Sequence, residues 1–166
     1  MSVKKDLYTA IKTALQGVEE LKNVLHYNGQ DTSDYEKDHS KRFPQAWIQI
    51  SDIEWKPSSQ RPHESNQTQE QKTEIVNVTI YYASFSLSDD DDTFLTDLDN
   101  VDRIYRALTM LQGDNFNPLQ RASEGDDSNN NNVRIWIQQY TTMLTENAVS
   151  LDRVDAAPVT LTINKD

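Results

Sequence analysis

The alternation of apolar and polar residues divides the chain into a small number of elements separated by long polar stretches. Leu7, Ile11, Ala14 and Val18 recur at steps of four, three and four, the spacing of one face of a helix. Ser2 stands where an N-cap belongs, and Asp6 places negative charge near the first turn. The pattern could run on through Leu21 to Leu25. Gly17, however, costs about 1 kcal/mol inside a helix and is a common helix stop, so the predicted helix ends near Gln16. Residues 23–27 (NVLHY) then read either as a short strand closed by Asn28-Gly29 or as the last turns of one long helix ending at Gly29.

Residues 30–42 are polar and charged and read as loop. Residues 43–55 predict a strand with Ala46, Ile48 and Ile50 on one face and Trp47, Ile53 and Trp55 on the other, the face switching near Asp52. Residues 56–73 carry no periodicity and two prolines, and they read as a second polar loop. Residues 75–85 (IVNVTIYYASF) form the clearest strand. Val76, Val78, Ile80 and Tyr82 point one way, and Asn77, Thr79, Tyr81 and Ala83 the other. The run Asp89, Asp90, Asp91, Asp92 precedes a second helix. Its stripe is expected to be Phe94, Leu98, Val101, Tyr105 and Leu108, widened by Leu95, Ile104 and Leu111, with Gly113 as its stop.

Residues 114–132 read as a third polar loop. Residues 133–144 predict a strand with Val133, Ile135 and Ile137 facing one way and Trp136 and Tyr140 the other. Val159, Leu161 and Ile163 suggest a last short strand. The expected fold is therefore one α+β domain over residues 1–166. A sheet of four to five strands, antiparallel or at most mixed, is packed by two helices in the order α-β-β-β-α-β-β. There is no internal repeat.

Composition narrows the function classes. The 166 residues include 16 Lys+Arg and 27 Asp+Glu, a formal charge of −11, which disfavours both phosphate-neutralising nucleic-acid binding and adsorption to anionic lipid. The absence of cysteine excludes disulfides, Cys-based zinc sites and thiol nucleophiles. No stretch is long and apolar enough to span a bilayer, and the N-terminus MSVKKDLYTA has no signal-peptide h-region.

Motif chemistry is sparse. His26, His39 and His63 lack the three- or four-residue spacing of helical metal ligands, and no G-x-S-x-G elbow is present. The four glycines are too widely spaced for a phosphate loop. The aspartate run lacks the ligand spacing of an EF-hand and reads as an exposed acidic loop entering a helix. The expectation is no enzyme, no metal and no cofactor.

The aromatic residues Trp47, Trp55, Tyr81, Trp136 and Tyr140 fall opposite the cleanest apolar stripes. Either the chain's own helices cover both sheet faces, or these side chains meet another subunit, since Trp and Tyr are enriched at interface cores. Two short helices are few for two faces, which makes the five aromatics interface candidates.

The order of the elements carries a resemblance. An amphipathic helix leads to a brief strand ending in Tyr27-Asn28-Gly29-Gln30. A charged loop follows, then a Phe43-Pro44-x-Ala46 strand entry, a long polar connection, a β-branched strand, an amphipathic helix and a final strand pair. Over roughly residues 3–144 this resembles the tail terminator family of long-tailed bacteriophages and prophages, of the lambda minor tail protein U type. The resemblance favours the strand at residues 23–27. It implies an antiparallel sheet with helices on one side and a structural function without catalysis. The family's proteins form hexameric rings that cap the tail tube, stop its growth and present the surface that joins tail to head.

By that resemblance the partners are further copies of this chain, the tail tube and the head–tail connector, with no sequence-specific nucleic-acid binding. The location would be the bacterial cytoplasm during assembly and then the virion tail. A ring of such acidic subunits would repel DNA from its channel wall, although the acidic loops equally serve solubility. Two rivals remain at this level: another neck or baseplate component, and an acidic DNA mimic.

Overall fold

A computed structural model describes residues 2–29, 43–51, 71–85, 91–127 and 133–147. The elements are α1 (Val3–Gln16), β1 (Asn23–His26), β2 (Gln45–Ile50), β3 (Gln71–Phe85), α2 (Asp91–Leu108), β4 (Gln120–Asp126) and β5 (Val133–Asn147). The protein is an α+β domain in the order α-β-β-β-α-β-β, as the sequence predicts. The sheet is mixed. Its strand order is β1-β2-β3-β5-β4, with β1 parallel to β2 and every other neighbour antiparallel.

Helix α1 ends where expected. Ser2 occupies the N-cap and its carbonyl accepts from the Lys5 and Asp6 amides, but its side chain makes no capping bond. Gly17 closes the helix, its amide donating to the Ala14 carbonyl and the Val18 amide to that of Leu15. Leu7, Ile11 and Leu15 are fully buried, each contributing about 1.5–3 kcal/mol by leaving water. Residues 23–26 form the strand rather than a continued helix, with Gly29 at φ 68° in the turn beyond it.

Both helices lie on one side of the sheet. Leu7, Ile11 and Leu15 of α1 and Val101, Ile104 and Leu108 of α2 share one core with Val24, Ala46, Ile48, Val76, Val78, Ile80, Tyr82, Tyr140 and Leu144. Those strand residues have the same parity along the ladder, so this is one face. An ion pair between Arg103 and Glu20 and a 3.1 Å bond from Asn115 Nδ2 to Asp6 hold the helix layer together at its surface.

The inward stripe of α2 differs from the expected one. Its buried residues are Asp97, Asn100, Val101, Ile104 and Leu108, while Phe94 and Leu95 are exposed. A buried polar network accounts for the rotation. Asp97, 3% exposed, accepts hydrogen bonds from the Tyr82 hydroxyl at 2.9 Å and the Ser84 hydroxyl at 2.7 Å, with the Arg134 guanidinium 3.7 Å away. Asn100 Nδ2 donates to Tyr82 Oη at 3.0 Å. Satisfying these groups turns Asp97 to the sheet, and the helix rolls Phe94 and Leu95 outward. The helix also stops earlier than expected, at Leu108. Met110 takes a left-handed conformation at φ 65°, and Gly113 bridges to Phe116 instead of capping the helix.

Two polar stretches read as loop are partly strand. β3 begins at Gln71, inside the 56–73 stretch, and pairs with β5 without interruption from Gln71↔Asn147 to Phe85↔Val133. β4 lies inside the 114–132 stretch. All seven of its residues are exposed, so it offers no apolar alternation to read. Backbone pairing, a bulge between Arg121 and Ser123 and cross-strand side-chain bonds hold it in place. Gln138 Nε2 donates to Glu124 at 2.8 Å and to the Val101 carbonyl at 3.1 Å, Ser123 donates to Gln139 at 2.9 Å, and Arg121 stacks on Tyr105 at 3.8 Å. The expected strand at Val159, Leu161 and Ile163 lies outside the described residues, as does the 30–42 stretch.

Candidate interaction surface

Among the described residues, no helix covers the second face of the sheet. Its side chains fall in rows that the strand register defines. One row crosses all five strands: Leu25, Trp47, Tyr81, Ile137 and Gly125. Towards one end lie Asn23, Gln45, Ala83 and Ile135, then Phe85 with Val133. Towards the other end come Gln49, Thr79, Gln139 and Ser123, then Asn77 with Thr141, and finally Ile75 with Met143.

Two chemistries alternate along this face. At one end Phe43, Trp47, Ala83, Val133 and Ile135 form a small second core, flanked by half-buried Tyr27, Tyr81, Phe85 and Ile137. Tyr27 stacks on Tyr81 with centroids 4.3 Å apart and planes 15° apart. Leu25, 43% exposed, adjoins it on the β1 edge. In the middle, Gln49, Ser51, Asn77, Thr79, Gln139 and Thr141 line a shallow groove of about 340 Å³, with the Tyr81 hydroxyl donating to Gln49 at 2.7 Å. At the far end Ile75 and Met143 sit side by side, 65% and 41% exposed. Beyond Ile50 the Ser51 amide still donates to the Asn77 carbonyl, and on the other edge the Asn117 amide donates to the Met143 carbonyl and the Thr145 amide to that of Asn115.

The strands place no charge on this face, although Asp127, one residue past β4, bonds to Ile135 and lies near Tyr81. A quarter of the chain (26%) is charged, yet the described strand side chains that carry charge, Glu74, Arg121, Glu124, Asp126 and Arg134, all have the parity of the helix side. The open side of the five strands holds none. Ordinary solvated sheet faces take their share of Lys and Glu, whereas the cores of protein interfaces are depleted of charge. The sequence holds little of this signal: residues 75–85 carry no charge at either parity and 133–145 only Arg134, so the strand register and not the alternation shows which face is clear.

The five aromatic interface candidates do not form one patch. Trp47 is 1% exposed within the second core, and Tyr140 is fully buried beneath the helices, so neither presents a surface to a partner. Tyr140 and Trp136 have the parity of the helix side and Trp47 and Tyr81 that of the open side, because on β5 the apolar alternation faces away from the helices. Trp136 is partly buried against the main core and packs on exposed Phe94 at 5.9 Å; its Nε1 has no hydrogen-bond acceptor among the described residues. Tyr81 remains half-exposed on the open face. Trp55 lies outside the described residues. Of the acidic run, Asp91 and Asp92 are exposed in the first turn of α2, while Asp89 and Asp90 lie outside.

Three tyrosines have hydroxyls that hold their proton more tightly than usual. Burial is the main cause at Tyr82, where the bond from Asn100 opposes it, and at Tyr140, where Arg121 opposes it. Burial also leads at Tyr81, reinforced by Tyr27 and Asp127. Among the described residues, no three His, Asp or Glu side chains converge as metal ligands, and no helix is long and apolar enough to cross a membrane.

No family model matches the chain, and no curated protein matches its sequence. Among solved structures, a chain of the "Virion of native gene transfer agent (GTA) particle" aligns with it at a TM-score of 0.46 and 10% identity, over 87% of this chain and 92% of its own. At that score the likeness carries no function across.

Proposed function

We propose that this chain is a structural subunit of a phage or prophage tail, a tail-terminator-like protein. Copies close into a ring that caps the tail tube, stops its growth and offers the surface to which the head joins. The observation that carries this reading is a partly aromatic sheet face whose strand positions carry no charge and over which, among the described residues, no helix lies, in a strongly acidic chain. Such a face suits contact between copies, where an unpaired charge would cost several kcal/mol to bury. The order of the elements and the sequence pieces Tyr27-Asn28-Gly29-Gln30 and Phe43-Pro44-Gln45-Ala46 support the same reading.

The mechanism is association, with no chemical step. The helix layer and its buried network hold the sheet rigid, the open face meets neighbouring copies, and the acidic surface stays in solvent. Assembly takes place in the bacterial cytoplasm, after which the ring stays with the tail. Light scattering on a size-exclusion column over a wide concentration series tests the ring. The expected species is near 115 kDa, six times the 19.1 kDa chain. A single 19.1 kDa species at every concentration contradicts a ring that forms from this chain alone.

A further inference from the structure

We infer that the groove between α1 and the β1 edge binds an extended acidic peptide segment of a partner protein, which joins the sheet as a strand beside β1. β1 is an outermost strand: it pairs with β2, and no described strand lies on its other side. A sheet edge of this kind is a template for an added strand. α1 supplies one wall of the groove. Its Lys12 and Gln16 line a volume of about 360 Å³ together with Leu21, Lys22 and Leu25. Tyr8, one turn before Lys12, approaches His26 with ring centroids 6.1 Å apart and closes one end.

Charge selects the occupant. The chain has a formal charge of −11, and every arginine among the described residues faces a carboxylate: Arg103 with Glu20, Arg106 with Asp102, Arg121 with Glu124 and Arg134 with Asp97. Lys12 and Lys22 have no such partner among the described residues, and Lys12 lies over the Tyr8 ring, 6.0 Å from its centroid. The carboxylates nearest along the chain are turned elsewhere, Asp6 to Asn115 and Glu20 to Arg103, and Glu19 is exposed. The groove therefore gathers uncompensated positive charge in an acidic protein, which suits a segment carrying carboxylates. Side chains of an added strand alternate. Carboxylates on one side meet Lys12 and Lys22, while apolar side chains on the other cover Leu25, 43% exposed. The site stands apart from the proposed ring, because it lies at the edge of the sheet and not on its open face.

The probe is a fluorescent peptide of about eight residues alternating valine and aspartate, titrated with the full chain and followed by anisotropy. Saturable binding is expected, weaker at high salt, and at least about fivefold weaker in Lys12→Glu and in Lys22→Glu. Arg106→Glu makes the same change of charge on α2, at an exposed side chain, and is expected to stay within about twofold of the parent. An added strand uses one edge of the peptide. Of two peptides N-methylated on the valines or on the aspartates, one is therefore expected to bind and the other to fail. Circular dichroism checks that each variant is folded. Absence of saturable binding, equal weakening by Arg106→Glu, equal binding of both methylated peptides, or equal binding of an oligothymidylate of the same charge overturns the inference.

Discussion

Removing the Asp97 carboxylate tests the packing of α2 most sharply. Asp97 is 3% exposed and accepts from two hydroxyls, Tyr82 at 2.9 Å and Ser84 at 2.7 Å, with Arg134 facing it at 3.7 Å. In Asp97→Ala both hydroxyls lose a buried acceptor, at about 1–3 kcal/mol each if nothing replaces it. Arg134, whose side chain is only 17% exposed, loses the carboxylate opposite it, and breaking a buried pair in this way costs about 3–5 kcal/mol. These costs overlap, because one group serves all three partners. The expected loss is about 3–5 kcal/mol in total, or very roughly 6–20 °C in Tm for a domain of this size. Urea unfolding followed by Trp fluorescence measures it. Asp97→Asn keeps one acceptor oxygen and is expected to fall between Asp97→Ala and the parent. Asp99→Ala, exposed two positions further along the same helix, is expected to stay within about 0.5 kcal/mol of the parent. A loss below about 1 kcal/mol for Asp97→Ala would refute the role given to this network in seating α2.

Three further outcomes are expected. Leu7→Ala empties a fully buried site between α1 and the sheet and costs about 2–5 kcal/mol by chemical denaturation. Gly113→Ala drives a new Cβ into the ring of buried Phe116 and costs about 1–3 kcal/mol, with Gly113→Ala in a Phe116→Leu background recovering part of it. Stability should also fall in alkali. Burial raises the Tyr82 and Tyr140 hydroxyls above their ordinary value near 10, so the folded state keeps protons that the unfolded chain gives up. Their contribution is complete below about pH 10 and is lost as pH climbs from there towards the folded values. Urea midpoints measured from about pH 9 to pH 11 should decline, and Tyr82→Phe should flatten the decline; a midpoint constant across that range contradicts the assignment.

The elements that sequence alone makes legible are those whose burial has a period. Leu7 and Ile11 mark α1, although Leu15 rather than Ala14 continues its buried stripe, and Val76, Val78, Ile80 and Tyr82 mark the helix side of β3, because one face is wet and the other dry. β4 stays hidden for the complementary reason. Every residue of Gln120–Asp126 is exposed, so backbone pairing and side-chain bonds from Gln138 and Gln139 make it a strand while hydropathy gives no sign. In α2 an apolar count misplaces the inward stripe. Asp97 and Asn100 look like surface residues, and only Tyr82, Ser84 and Arg134, distant in sequence, make it favourable to bury them. Trp136 and Tyr140 mislead similarly. β5 is apolar on both sides, and alternation cannot say which side the helices take. The charge-free strand positions of the open face are hidden as well, since residues 75–85 carry no charge at either parity and only the register with β4 and β5 sorts Arg121, Glu124 and Arg134 to the helix side.

The proposed role makes the length of the tail tube depend on this chain. Deleting its gene from the genome that encodes it and measuring tube lengths by negative-stain electron microscopy tests that dependence directly. Tubes of indefinite length without attached heads are expected, restored to one defined length when the intact gene is supplied in trans. Headed particles with tails of the parental length in the deletion strain would contradict it.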